Sequence, residues 1–257
     1  MSSTYRFQEA LTGAMDVSPK GIGDGKNYLA CNMALNAVWN AFDWRQSIAD
    51  LPPFYLIPNV QDYGAPGVAV PADFKGLRRC FHWQIQDGGE LCTEVIPVRD
   101  LAAASAQYAI NRSKMYICFH EPTRKFRLLP VPDGSMGAPY HMIDGKYKKL
   151  PTVTLASGGT VNKINASNIA NAIIPFDDAY ITVMVEAMRW ALMVLSNNPN
   201  AGPTQIQGTS KSHGGQKAVM MAAIQEMAKQ EGVDLGNRPV FPTESITNPS
   251  YGGWSGW

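Results

Sequence analysis

Two short segments of this 257-residue chain repeat one triplet of chemically capable residues, Cys80-Phe81-His82 and Cys118-Phe119-His120. Positions i and i+2 of a strand share a face. If the two strands paired, two thiolates and two imidazoles would meet in a set that suits tetrahedral zinc. The spacing favours a plainer reading. Structural zinc sites separate their ligands by two or more residues, and cysteine and histidine are ordinary in half-buried strands. No metal or cofactor is therefore expected.

The remaining chemistry is equally sparse. His141 and His213 stand alone, in a hairpin and a loop, and read as surface histidines. Lys20, Gly21, Gly23, Gly25 and Lys26 invite a phosphate-loop reading, but that motif needs glycine where Lys20 stands and serine or threonine where Asn27 stands. Glu90 and Glu94 lie on one short strand, which offers no cleft for a glycosidic bond. Glu186 and Arg189, one helical turn apart, read as a helix-surface ion pair. Neither a Gly-x-Ser-x-Gly elbow nor a His-Glu-x-x-His pair occurs. No active site is advertised, and an enzyme is not expected.

The elements that would position these residues begin with the run Pro175 to Asn198, which reads as one long helix with Asp177 and Asp178 in its first turn and Asn197, Asn198 and Pro199 as its stop. Phe176, Tyr180, Met184, Ala187, Ala191 and Leu195 form one apolar stripe, and Ile181, Val185, Met188 and Leu192 a second. A helix apolar nearly all round must be covered on most sides. A second strong helix spans Lys26 to Ile48, closed by Leu51-Pro52-Pro53, and a third follows Ser212 and closes at Gly232. From Phe54 the period shifts to alternation. Short runs over 54–60, 79–86, 91–98, 114–120, 125–130, 140–143 and 146–155, with Gly88-Gly89 and Asp144-Gly145 as hairpin signals, predict an antiparallel unit. Asp100 to Ile110 is an alanine-rich helical connector within it.

The fold expected is therefore α+β: a helical bundle of about three long helices, residues 1–50 and 165–232, with an inserted antiparallel β-rich domain, residues 51–164. An extended C-terminal docking tail, residues 233–257, completes it. The tail is broken at Pro239, Pro242 and Pro249 yet carries Phe241, Tyr251, Trp254 and Trp257, a sticky set for a frayed end. A net charge of +1 with 17% charged residues is low for a soluble monomer and hints at surface hidden in contacts. It argues against a dedicated nucleic-acid binder. Basic residues nevertheless gather in the β region, among them Arg78, Arg79, Arg112, Lys114, Arg124, Lys125, Arg127, Lys146, Lys148 and Lys149. They read as a solvated face or as a weak path for a passing phosphate backbone. Met1 to Gly13 lacks the basic start and apolar run of a signal peptide, and the longest apolar stretch is interrupted by Thr182, Glu186 and Arg189, so no membrane insertion is expected. Cys31, Cys80, Cys92 and Cys118 read as reduced thiols.

Five segments in order resemble the head-to-tail adaptor (connector) proteins of tailed bacteriophages, over about Asn27 to Asn198. They are the first long helix; Val70-Pro71-Ala72-Asp73-Phe74 with Leu77-Arg78; Phe126 to Pro132; Tyr147-Lys148-Lys149-Leu150-Pro151; and Pro175-Phe176-Asp177-Asp178-Ala179-Tyr180. The resemblance implies a structural virion protein assembled in the host cytoplasm. It would form a ring, commonly twelvefold, that binds the portal on one side and a tail or nozzle protein on the other and lets double-stranded DNA pass without sequence preference. On that view Phe241, Tyr251, Trp254 and Trp257 dock on the portal or a neighbour, and Phe176, Tyr180, Met184 and Trp190 pack helices between subunits. The alternatives are another tail ring protein, a nozzle or a terminator, or a virion-associated cell-wall hydrolase.

Overall fold

The structure is a computed structural model that describes residues 4–15, 23–64, 70–86, 89–137, 140–202, 204–205 and 212–233. In chain order its elements are α1 (Phe7–Ala14), α2 (Asp24–Ala41), β1 (Ile48–Tyr55), β2 (Asp62–Tyr63), β3 (Phe74–Gln86), β4 (Gly89–Pro97), α3 (Leu101–Ile110), β5 (Met115–His120), β6 (Lys125–Leu129), β7 (His141–Lys149), β8 (Val153–Thr154), β9 (Thr160–Val161), α4 (Ile181–Leu195), β10 (Thr204–Gln205), β11 (Ser212–His213) and α5 (Gly215–Gln230). The described residues divide into two units. One holds the chain up to Ser47 and from Leu150 onward, the other holds Ile48–Lys149.

In the helical unit, α4 is the hub. It packs against α1, α2 and α5 and buries Val183, Met184, Ala187, Met188, Ala191 and Leu192, a spacing of three and four that makes a wide apolar face. Small residues at the meeting points, Ala30 and Ala34 of α2 and Ala187 and Ala191 of α4, are fully buried. Trp39 and Trp44 close round Phe176, with ring centroids 6.2 and 6.0 Å away, and Trp44 donates its Nε1 hydrogen to the Val38 carbonyl at 2.6 Å. Asn32 ties α2 to the following loops by donating to the Ile164 carbonyl at 2.8 Å and accepting from the Ile164 amide at 2.9 Å. Glu186 and Arg189 do more than the expected surface pair. Arg189 reaches the Gly13 carbonyl at the end of α1, and Glu186 accepts from Gln216 of α5, so the polar seam of α4 braces three helices.

The sheet unit has seven strands in the order β1-β7-β3-β4-β5-β6-β2, antiparallel except for β4 and β5. Its core face gathers Phe54, Tyr63, Phe74, Phe119, Phe126 and Tyr147 with Leu56, Ile117, Leu128 and Ile143. Phe54 of β1 lies 5.2 Å from the Tyr63 ring of β2 and 5.9 Å from Phe126 of β6. Since β1 and β2 are the two ends of the sheet, these contacts mean that the sheet curls far enough for its ends to meet over the core.

This architecture corrects the expected one. In place of three long helices and an inserted antiparallel domain the described residues form five α-helices of 8 to 18 residues and a large curled mixed sheet. Three local causes account for it. The run from Pro175 does not start as helix, because the Asp177 side chain accepts from the Ala179 amide at 3.0 Å and closes a single tight turn first; α4 begins at Ile181. The connector α3 lies between β4 and β5, and a helical crossover returns the chain to the same end of the sheet, so those strands run parallel. Asp144-Gly145 is no hairpin. It lies inside β7, where a side chain at Gly145 would sit 2.1 Å from the Arg79 carbonyl oxygen, so the spot accepts glycine only. Opposite it both neighbours slip register, β1 at Pro52-Pro53 and β3 at Arg78-Arg79. The two prolines therefore mark a bulge in an edge strand, where a missing donor is tolerated. Ser212 lies in β11 and does not cap α5, whose N-cap position is Gly214.

Candidate functional site

The two Cys-x-His triplets are not brought together. β3 and β5 are separated by β4. Cys80 lies in the aromatic core while Cys118 packs with Tyr116, Ala104 and Val98 under α3, on the other face. Burial pushes the Cys80 thiol up to about 12, with Asp144 adding to the rise, so it is held protonated. His120 pairs with the Thr123 hydroxyl at 2.7 Å. His82 meets His141, Nε2 to Nδ1 at 2.8 Å, both rings buried and stacked. His141 is thus a core histidine, contrary to the surface position expected of it. The register explains the meeting, because Gln84 opposes His141 and places His82 on the diagonal of the same face. Burial first, and the neighbouring imidazole second, lower the affinity of His82 for a proton. Among the described residues no three His, Cys, Asp or Glu side chains converge as a metal site. Glu90 and Glu94 lie two pleats apart on the same side of β4, both exposed, with no cleft between them.

Three of the segments that carried the family resemblance do converge, in the sheet core. Tyr147 donates its hydroxyl to Asp73 at 2.8 Å and stacks on Phe74 at 5.5 Å, and Phe126 meets Phe74 edge-on at 5.4 Å. Burial, then the hydrogen bond to Asp73, raises the Tyr147 hydroxyl well above the ordinary phenol range. These residues hold the curl of the sheet together and are not a reactive set. Lys148, read with the other basic residues as part of a solvated face, is itself buried beside Tyr147.

The basic residues of the β region are largely engaged. Arg127 pairs with Asp62 at 2.8 Å, Lys146 with Asp50 at 2.7 Å and Arg79 with Glu94 at 3.9 Å, while Arg124 donates to the Pro71 carbonyl. Their distribution is that of cross-strand pairs and not of one continuous stripe.

What the surface offers instead is uncharged area. Across α2, α3 and α4, which total 43 residues (18, 10 and 15), only Asp24, Lys26, Glu186 and Arg189 are charged. The open side of α2 runs through Lys26, Leu29 and Asn36, with Leu29 49% exposed and Met33 and Asn40 half-buried beside them. α3 shows solvent Ala102, Ser105, Ala106 and Ile110, the last 87% exposed. On the outer face of the sheet, register aligns Tyr55, Met142, Trp83 and Cys92 in one row across β1, β7, β3 and β4. None of the four belongs to a buried cluster.

Of the residues expected to pack between subunits, Phe176 and Met184 are buried in the chain's own helical core. Tyr180 and Trp190 are half-exposed at its margin. Phe241, Tyr251, Trp254 and Trp257 lie outside the described residues, as does the candidate phosphate loop up to Gly21. No helix among the described residues is long and apolar enough to cross a membrane. No protein-family model matches the chain, and no curated protein matches it.

Proposed function

We propose that this chain is a ring-forming structural protein of a tailed-phage particle, one that joins the portal to the tail and leaves an opening for double-stranded DNA. The observation that carries the proposal is the uncharged run of α2 beyond Lys26 and the wholly uncharged helix α3. A helix at a water-facing surface ordinarily carries charge on its open side. An open side that shows Leu29 and Asn36 on α2, and one that shows Ile110 on α3, have the composition of a subunit interface, where charged residues are depleted. The low charge of the whole chain and the ordered resemblance of its segments to connector proteins support the same reading.

Light scattering of the purified chain, alone and then mixed with a portal ring, tests this. A ring, or a monomer that becomes a ring on the portal, is the expected result. A stable monomer that ignores the portal would overturn the proposal. Placing charge on the open stripes, with Leu29→Glu or Ile110→Lys, should weaken the ring while leaving the fold intact.

A further inference from the structure

The curled sheet has more than one edge, and they are not alike. β1 is blunted by Pro52 and Pro53, which have no amide hydrogen and sit in a bulge. β2, at the far end, is two residues long. The third edge is internal to the strand order. β4 pairs with β3 along its length from Gly89 to Val95, but β5 joins it only at Val95–Pro97. From Glu90 to Glu94 the second side of β4 has no strand among the described residues, and all five residues are exposed, Leu91 by 55%.

The direction of the open backbone groups follows from the paired end. Val98 donates its amide hydrogen to the Ile117 carbonyl of β5 at 2.8 Å. Backbone groups alternate sides with period two along a strand. Glu94, Cys92 and Glu90 therefore turn their N–H and C=O groups to the open side, three donors and three acceptors in a row. Their side chains also share one face of the strand, beside Phe81 and Trp83 of β3, and Leu91 and Thr93 share the other.

We propose that this edge accepts an extended segment of another protein, one with two basic residues four positions apart and apolar residues between them. Strand addition supplies the backbone bonds, and the side chains select the partner. A second copy of this edge is a poor occupant. Antiparallel pairing centred on Cys92 would set Glu90 of each copy directly against Glu94 of the other, and like charges directly opposite are destabilising. Lysine or arginine in those two places meets a carboxylate each, and an apolar residue between them covers Leu91. Among the described residues Arg79 stands 3.9 Å from Glu94, a loose and exposed pair, so both carboxylates can meet a partner's cations. The inference does not depend on the ring reading.

The test uses the full chain and two blocked pentapeptides, Lys-Val-Thr-Val-Lys and Glu-Val-Thr-Val-Glu, followed by amide chemical shifts and hydrogen exchange. The expected result is slowed exchange at the Glu90, Cys92 and Glu94 amides with the lysine peptide, and a preference over the glutamate peptide of about tenfold or more. The double variant Glu90→Lys, Glu94→Lys should reverse that preference. Cys92→Pro keeps both carboxylates and removes the middle open-side donor, which an edge strand tolerates, and it should abolish binding. Equal response to the two peptides, no slowing at these amides, or undiminished binding by Cys92→Pro would each overturn the proposal, the last by showing plain charge attraction without strand addition.

Discussion

The helical unit and the sheet unit bury apolar surface by opposite means. The helices approach through small residues, Ala30, Ala34, Ala187 and Ala191, all fully buried. The sheet is held by large rings, and Phe54, Phe74, Phe119 and Phe126 join strands that are not neighbours in the strand order. The difference teaches which direction of change each core resists. A helix contact made of alanines fails when a residue grows, because interiors have no room for extra methylenes. A curl held by rings fails when one shrinks.

Breaking the ring cluster should have the largest effect. Phe126→Ala removes a fully buried ring that touches three others and should cost about 3–5 kcal/mol. Amide exchange in β1, β6 and β7 should quicken in urea titrations while α2 and α4 hold. Equal loosening of both units would show that the two cores are not separate. Next, Ala191→Leu should destabilise the helical unit by about 1–3 kcal/mol through overpacking, whereas Phe126→Leu in the sheet should cost less than Phe126→Ala. A stabilised Ala191→Leu would mean that the helices have room to spare.

Acid sharpens the comparison further, since the buried histidine pair lies in the sheet alone. His82 takes a proton less readily when folded than at its ordinary value of 6.5. Below that value the unfolded chain binds more protons than the folded one, so the stability of the sheet unit falls as pH drops. Near the pair the Thr93 hydroxyl donates to the His82 backbone carbonyl, and the Asp133 carboxyl, held low chiefly by Ser135, is lowered slightly by His141 as well. His82→Gln should flatten the fall between pH 7 and pH 5 in thermal melts. An unchanged slope would assign the acid sensitivity elsewhere. The smallest effect expected is from Asp100→Ala, which deletes the side chain that accepts the Ala103 amide at 2.8 Å and caps α3. It should cost about 1 kcal/mol, read as faster exchange confined to residues 101–110, and no change there would remove the cap from the account of that helix.

Much of the local structure was legible because it depends on neighbours in the chain. The alanine content of Asp100 to Ile110 read as a helical connector, and α3 runs from Leu101 to Ile110 with Asp100 as its cap. Asn197 and Gly232, both in the left-handed region at φ 54 and 65, end α4 and α5 where the sequence places their stops. Alternating apolar residues at Lys125–Leu129 made β6 plain. Where two neighbouring signals competed, reading by period alone misplaced them. Leu51-Pro52-Pro53 looked like a helix stop and is a bulged edge strand, since what decides the matter is the partner β7 and not the prolines themselves.

The contacts of the candidate site were not legible in the sequence. The Cys-x-His triplets had a shared strand face in their favour, and the structure put another strand between them. His82 and His141 are 59 positions apart, and no spacing rule links them; the register of β3 on β7 does. The same holds for Tyr147 and Asp73, 74 positions apart.

By itself, then, the sequence determined most strands, the helix at α3, the stops of α4 and α5 and the low overall charge, all set by side-chain chemistry within a few residues. Tertiary structure alone decided the parallel join of β4 to β5, the curl that brings Phe54 to Tyr63, the burial of His141 and the open edge at Glu90–Glu94. Those depend on which distant strands lie side by side, and pairing between distant segments is governed by the summed burial of a whole face and not by any one stretch of residues.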